Sequence, residues 1–202
     1  VCSLILLHLS VLLKQIDAEV LSYIPDRYEE GYGISYQGID YAKENNIELI
    51  IALDCGIKAI DKVKYAKDLG IDFIICDHHR PGDQIPDAVA VLDPKQEDCH
   101  YPFDELCGCG VGFKLIMALQ SKLGLPKREV YKYLDLVATA IGSDIVPITG
   151  ENRILAHFGL KLINSRKRPA FRAILEQTKK RELTITDVVF MIGPRINAAG
   201  RM

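Results

Sequence analysis

The chain has 202 residues, about half hydrophobic and roughly a quarter charged. That is enough apolar mass for a buried core in one domain, or one domain plus part of another, and it excludes a disordered chain. Lys and Arg number 25 against 27 Asp and Glu, for a net charge of −2, which argues against a uniformly basic nucleic-acid coat and leaves room only for a local patch such as Lys161 to Arg172. Six cysteines without a compact, regular spacing predict reduced thiols and a cytoplasmic protein rather than a disulfide framework.

Leu4 to Leu13 is apolar but lacks a basic leader and a small-residue cleavage site, and it is too short to span a bilayer. It reads as a buried helix that starts abruptly at Val1, with no membrane association expected. Ala18 to Ile24 reads as a strand ended by Pro25, and Asp26 to Gly33 as a loop with two glycines. Ser35 is placed to cap a helix running to about Asn45. Glu48 to Leu53 is then an apolar strand, and Ile57 to Gly70 a helix with Ile57, Ile60, Val63, Ala66 and Leu69 on one face. Asp72 to Cys76 is a second apolar strand, and Ala88 to Leu92 a third, short one before Asp93-Pro94. From Gly108 onward the pattern becomes helical, over Val111 to Leu123, Val130 to Ile141, Asn152 to Ile163, Ala170 to Thr178 and Thr184 to Ile192. The tail Pro194 to Met202 stops without a closing element. The fold class expected is α/β, a parallel twisted sheet with flanking helices over 1–105, followed by a mostly helical segment over 106–202.

Strand, helix, strand across 48–76 is a βαβ unit, whose two strands present their carboxyl ends on one edge. Asp54 follows the first strand and Asp77-His78-His79 the second, so these groups should converge in one crevice. A lone Asp after a strand is ordinarily a turn or cap residue; adjacent histidines after an Asp at the second strand end favour a site. Carboxylate with imidazole suits a divalent cation from magnesium and manganese towards zinc, and disfavours a thiolate site. Asp144, after an apolar helix and two small residues, is a further candidate ligand that fits a helix end equally well. Metals held by carboxylates with open positions support phosphoester hydrolysis, and a second imidazole such as His79 can then reach the phosphate.

Other clusters say less. Cys99-His100 with Cys107 and Cys109 matches no zinc-ligand spacing. Gly108-Cys109-Gly110-Val111-Gly112 entering a helix can offer backbone amides to a phosphate, or can simply permit tight packing. Arg27, Arg195 and Arg201 are candidate phosphate binders of a residue type most often found solvated at the surface.

Leu53-Asp54-Cys55-Gly56, Asp77-His78-His79, Tyr101-Pro102-Phe103 with Cys107 to Leu115, Gly142 to Pro147, Gly193 to Met202 and Pro25 to Gly33 together resemble the DHH phosphoesterase superfamily, and within it the RecJ-type single-strand-specific exonucleases. The resemblance is collinear over essentially the whole chain. It implies a two-metal, manganese- or magnesium-dependent enzyme that removes nucleotides from the 5′ end of single-stranded DNA in repair and recombination, acting as a monomer, with repair proteins as possible partners. By motif correspondence Asp54 would bridge two metals, His78 and Asp144 would complete one of them, Asp77 would be an accessory carboxylate and His79 would face the scissile phosphate. Arg195, Asn197 and Arg201, with Gly108 and Gly110, would hold nucleic-acid phosphates.

The family opens its core with an Asp-x-Asp motif ahead of the first helix, and nothing before Leu4 supplies one. Its DHHA1-type and OB-type domains are not in this sequence either. The expectation is therefore an exonuclease parent, with this polypeptide alone binding metal weakly and turning over poorly. Two rival readings are a DHH phosphatase acting on short oligonucleotides or nucleotides, and a non-catalytic nucleic-acid-binding module.

Overall fold

The computed structural model describes residues 3–165, 168–178 and 180–199. In chain order the elements are α1 (Ser3–Lys14), α2 (Tyr36–Glu44), β1 (Leu49–Leu53), α3 (Ile60–Asp68), β2 (Asp72–Cys76) and β3 (Ala90–Leu92). They are followed by α4 (Gly108–Lys122), α5 (Arg128–Tyr131), α6 (Leu134–Asp144), α7 (Gly150–Asn164), α8 (Pro169–Thr178), α9 (Ile185–Asp187), a π-helical turn (Val188–Ile192) and α10 (Gly193–Ala199). The expected class holds: three parallel strands in the order β1-β2-β3, then helices.

The strands are apolar on both sides because both faces are covered. Alternation sends Ile50, Ala52, Phe73 and Ile75 into a core with Ile39 and Ala42 of α2 and Val63 and Ala66 of α3. The opposite side carries Ile51 and Leu53 against the α1, α4 and α6 core, while Ile74 and Cys76 meet Leu106 and Val111 at the start of α4. The sheet is thereby clamped between helical layers, with Ala52, Phe73, Ile75 and Cys76 buried.

The Ser35 cap is as expected, its Oγ accepting the Gly38 N–H at 2.9 Å. The expected strand at Ala18 to Ile24 is not formed. The segment is irregular, it pairs with no strand among the described residues, and Leu21, Tyr23 and Ile24 are exposed. An apolar run has strand propensity, but only a neighbouring strand makes it part of a sheet. The helix expected from Ile57 begins instead at Ile60, and the Ile57 N–H ahead of it donates to the Asp77 carboxylate at 3.0 Å. The helix expected over Val130 to Ile141 is broken into α5 and α6, and Thr184 to Ile192 divides into α9 and the π turn.

In the second half α6 is buried almost throughout and α7 crosses it closely. Gly159 makes that crossing, since a Cβ there would lie 2.2 Å from the Leu134 carbonyl oxygen and 2.4 Å from the Ala138 Cβ. Asp135 at the start of α6 is buried and receives Arg168 in a two-pronged bond, 2.7 Å from Nε and 3.1 Å from Nη2. Part of the basic run Lys161 to Arg172 is therefore turned inward, and residues 166 and 167 lie outside the described residues. No helix among the described residues is long and apolar enough to cross a membrane.

Gly159→Ala should wedge α6 and α7 apart. Urea denaturation should show a loss of about 1–3 kcal/mol, the usual cost of overpacking, and an unchanged midpoint would contradict the close crossing.

Candidate metal centre at the strand ends

The parallel ladder continues one residue past its strands. The Asp54 N–H donates to the Cys76 carbonyl at 2.7 Å, and the Asp77 N–H to the Leu92 carbonyl at 3.0 Å. Asp54 and Asp77 consequently stand side by side on the carboxyl rim, as the βαβ reading requires. Asp54 adopts φ 63°, a left-handed conformation that Asp tolerates better than most residues, and this turns the chain off β1.

Asp54 and His78 face each other, with Nε2 of the ring 3.1 Å from Oδ1 and side chains only 14% and 13% exposed for His and Asp respectively. His79 joins them: one ligand atom from each of Asp54, His78 and His79 lies within 4.8 Å of the others. A buried carboxylate and two imidazoles at that spacing form a donor set that fits a divalent cation.

Asp77 has a different job. Oδ2 accepts the Ile57 N–H, and Oδ1 accepts the backbone N–H groups of His78 at 2.8 Å and His79 at 3.3 Å and lies 2.6 Å from Nδ1 of His79. Burial alone would raise its pKa, but these bonds, led by Ile57, outweigh it and hold the carboxyl below its ordinary value. Asp77 thus shapes the turn and aims His79 rather than offering an oxygen to a metal.

Asp144 closes α6 next to Ile145, a left-handed β-branched residue at φ 56°. It lies outside the Asp54, His78 and His79 cluster but within its electrostatic reach. Its Oδ2 is buried without a hydrogen-bond partner. Burial first, and then the charge of Asp54, push its carboxyl up to about 6. For His78 burial works against the charged ring, yet the hydrogen bond and charge of Asp54, with help from Asp144, raise its pKa overall. Two buried acids beside an imidazole are short of positive charge, which a cation would supply.

The glycine turn takes part from the protein side. Gly108 and Gly110 are buried, and a Cβ on Gly108 would sit 1.8 Å from Oδ1 of Asp54, so only glycine lets the start of α4 approach that carboxylate. Around Gly110 the neighbours are Leu106 and Cys107. Arg195 is exposed on α10, its guanidinium donating to the Met191 carbonyl at 2.8 Å, and Asn197 is half-buried on the same helix. Arg201 lies outside the described residues. Cys55, Cys76, Cys99, Cys107 and Cys109 are free thiols, and burial pushes Cys55, Cys76 and Cys107 up to about 12, which leaves them poor ligands. Sequence reasoning passed over Asp93, which follows β3 as Asp54 and Asp77 follow β1 and β2. Its signal was the same acid-after-strand position.

The family described as "DHH family, N-terminal domain" matches residues 1–141. Among curated proteins the chain is 40% identical over 208 residues to the single-stranded-DNA-specific exonuclease RecJ of Salmonella typhimurium, covering 96% of this chain and 36% of that protein. It is 42% identical over 192 residues to the protein of the same name from Bacillus subtilis, covering 94% and 24%. The chain therefore spans about a third or less of these relatives. Among solved structures, exonuclease RecJ bound to manganese matches with a TM-score of 0.82 and 33% identity over 96% of this chain and 49% of that one. RecJ in complex with Mn2+ from Thermus thermophilus matches with a TM-score of 0.79 and 29% identity over 98% and 28%.

Two outcomes follow. Gly108→Ala should displace Asp54, so manganese binding by calorimetry should weaken while the far-UV circular dichroism spectrum is retained; unchanged affinity would contradict the contact. Because Asp144 has a folded pKa of about 6 against an ordinary 3.8, the metal-free fold should lose stability as pH rises from about 4 through 6. Manganese affinity should fall as pH drops through the same range; Asp144→Asn should remove the Asp144 share of the stability change, while proton competition at His78 keeps manganese affinity pH-dependent.

Proposed function

The chain belongs to the DHH family, and on that basis we propose that it is the metal-site part of a 5′-to-3′ exonuclease that hydrolyses phosphodiester bonds of single-stranded DNA in repair and recombination. The carrying observation is the convergence of Asp54, His78 and His79 at the ends of adjacent parallel strands. Similarity to proteins named as single-stranded-DNA-specific exonucleases supports the substrate.

In this reading Asp54 and His78 hold the cation, and Asp144 completes the set with the buried oxygen that lacks a protein partner. Bound manganese or magnesium would supply a water of lowered pKa and neutralise charge on the phosphoryl oxygen. His79, aimed by Asp77 through Nδ1, presents its other nitrogen, where it can hydrogen-bond the phosphate or hand a proton to the leaving oxygen. Asp77 keeps its charge because four hydrogen bonds favour the carboxylate, so the orientation of His79 persists over the working pH range. Burial of Asp54 and His78 excludes bulk water and strengthens their electrostatic pull.

Further along the chain, Arg195 and Asn197 on α10 are the described residues proposed to hold nucleic-acid phosphates, Arg201 being assigned there by the sequence motif alone, and the turn at Gly108 brings the start of α4 up to Asp54. Residues 1–105 supply the metal-bearing half and 106–202 the helical support and the path towards further parts of the protein. The reading includes a cytoplasmic monomer whose thiols stay reduced.

The test is manganese-dependent shortening of single-stranded DNA labelled at its 3′ end, using the longest native polypeptide that contains this sequence. Asp54→Ala and His78→Ala should each lower the rate by roughly 100-fold or more, the scale on which loss of a key electrostatic group acts. Unchanged activity in both variants would refute the site. Preference for dinucleotides over long strands would point to a phosphatase, and binding without cleavage to a non-catalytic module.

A further inference from the structure

The third strand delivers an acid that the chemistry above leaves unused. β3 ends at Leu92, whose carbonyl accepts the Asp77 N–H, so the following residue, Asp93, stands at the same rim beside the Asp77-His78 segment. Asp93 is only 2% exposed. One of its oxygens is accounted for: Oδ1 accepts the Lys95 N–H at 2.9 Å in a tight turn across Pro94. The other, Oδ2, is buried with no hydrogen-bond partner. A turn needs only the first oxygen, and burying the second without a partner is costly, so the turn does not explain why this carboxylate is buried.

The complementary group is on His78. Its Nε2 faces Asp54, but Nδ1 is likewise buried without a partner. A histidine that binds metal through one ring nitrogen carries its proton on the other, and that N–H ordinarily donates to a carboxylate, a carbonyl or water. Asp77 is not free to accept it, because its oxygens already serve Ile57, the two backbone N–H groups and His79. The charges of Asp93 and His78 also reach each other. Burial pushes the Asp93 carboxyl up; the Lys95 N–H draws it down, Asp77 raises it again, and His78 acts with Lys95 to lower it.

We infer that Asp93 is a positioning residue for His78: its Oδ2 accepts the Nδ1 proton, directly or across one water, and fixes the ring so that Nε2 points to the cation site beside Asp54. This rests on the reading of His78 as a metal ligand. Each histidine of the Asp-His-His turn then has its own carboxylate anchor on Nδ1, Asp77 for His79 and Asp93 for His78. The three strand-end acids divide the work, Asp54 facing the metal and the other two holding rings.

The experiment is an imidazole 15N–1H correlation spectrum of the full 202-residue chain, paired with calorimetric titration of manganese alone. The Nδ1 proton of His78 should be present and slow to exchange with solvent. Asp93→Asn keeps one acceptor oxygen for the Lys95 turn but sets a donating amide against Nδ1, so it should weaken the protection. Asp93→Ser keeps an acceptor for the Lys95 turn but is too short to reach the ring, so it should lose the protection and bind manganese about 10–100-fold more weakly. Asp93→Ala should do the same if it folds, and the Ser variant carries the test if it does not. A folded Ser variant with undiminished protection, or a wild-type ring without a proton on Nδ1, would overturn the inference. Failure of the wild type to bind manganese, with protection still lost in the Ser variant, would support the Asp93–His78 pair while removing the metal step of the inference for this chain.

Discussion

The parallel ladder that runs one residue beyond the strands is the constraint on which the rest depends. Two backbone hydrogen bonds, Asp54 N–H to Cys76 and Asp77 N–H to Leu92, hold the first residues after the strands in register. Because β1, β2 and β3 are parallel, their ends share one rim, and the acids that follow them arrive together. Helices on both faces make the register hard to shift, since a one-residue slip would reverse which side chains meet α2 and α3 and which meet α4. A backbone feature thus sets the separation of side chains that are 24 residues apart in the chain, as Asp54 and His78 are.

Within that frame the carboxylates differ by how well they are satisfied. Asp77 is saturated with hydrogen bonds and stays charged, which suits a structural anchor. Asp144 is buried with an unpartnered oxygen, feels the charge of Asp54, and is pushed towards its protonated form. His78, between Asp54 and Asp144, responds by favouring its charged ring. Protonation of the ring in the absence of metal and cation binding in its presence answer the same deficit of positive charge. The exclusion of water that makes a cation effective here also makes its absence expensive.

Much of the fold is legible from periodicity because these segments bury one pattern against one neighbour. Phe73 and Ile75 alternate with Ile74 and Cys76, and that alternation marks a strand covered on both sides. The break between α5 and α6 is invisible for an equally physical reason: Val130, Leu134, Val137 and Ile141 keep helical spacing and enter one core despite it. At Thr184 to Ile192 the start is readable from the Thr184 and Asp187 capping box, whereas the wider π turn that follows leaves no mark in the spacing. Ala18 to Ile24 has the composition of a strand, and composition does not supply a pairing partner.

For the site, the residue order alone determined that Asp54 and the Asp-His-His turn would share an edge, since a βαβ crossover permits little else. It also determined the kind of cation that carboxylate with imidazole would suit. Tertiary structure decided which carboxylate is available and which is spent: Asp77 is spent on the Ile57 N–H, Asp54 is closely approached by Gly108, and Asp93 is buried at the same rim. Those choices depend on contacts near 3 Å between groups far apart in the chain. Residue identity names the donors and acceptors, and only the packed chain brings particular ones within reach.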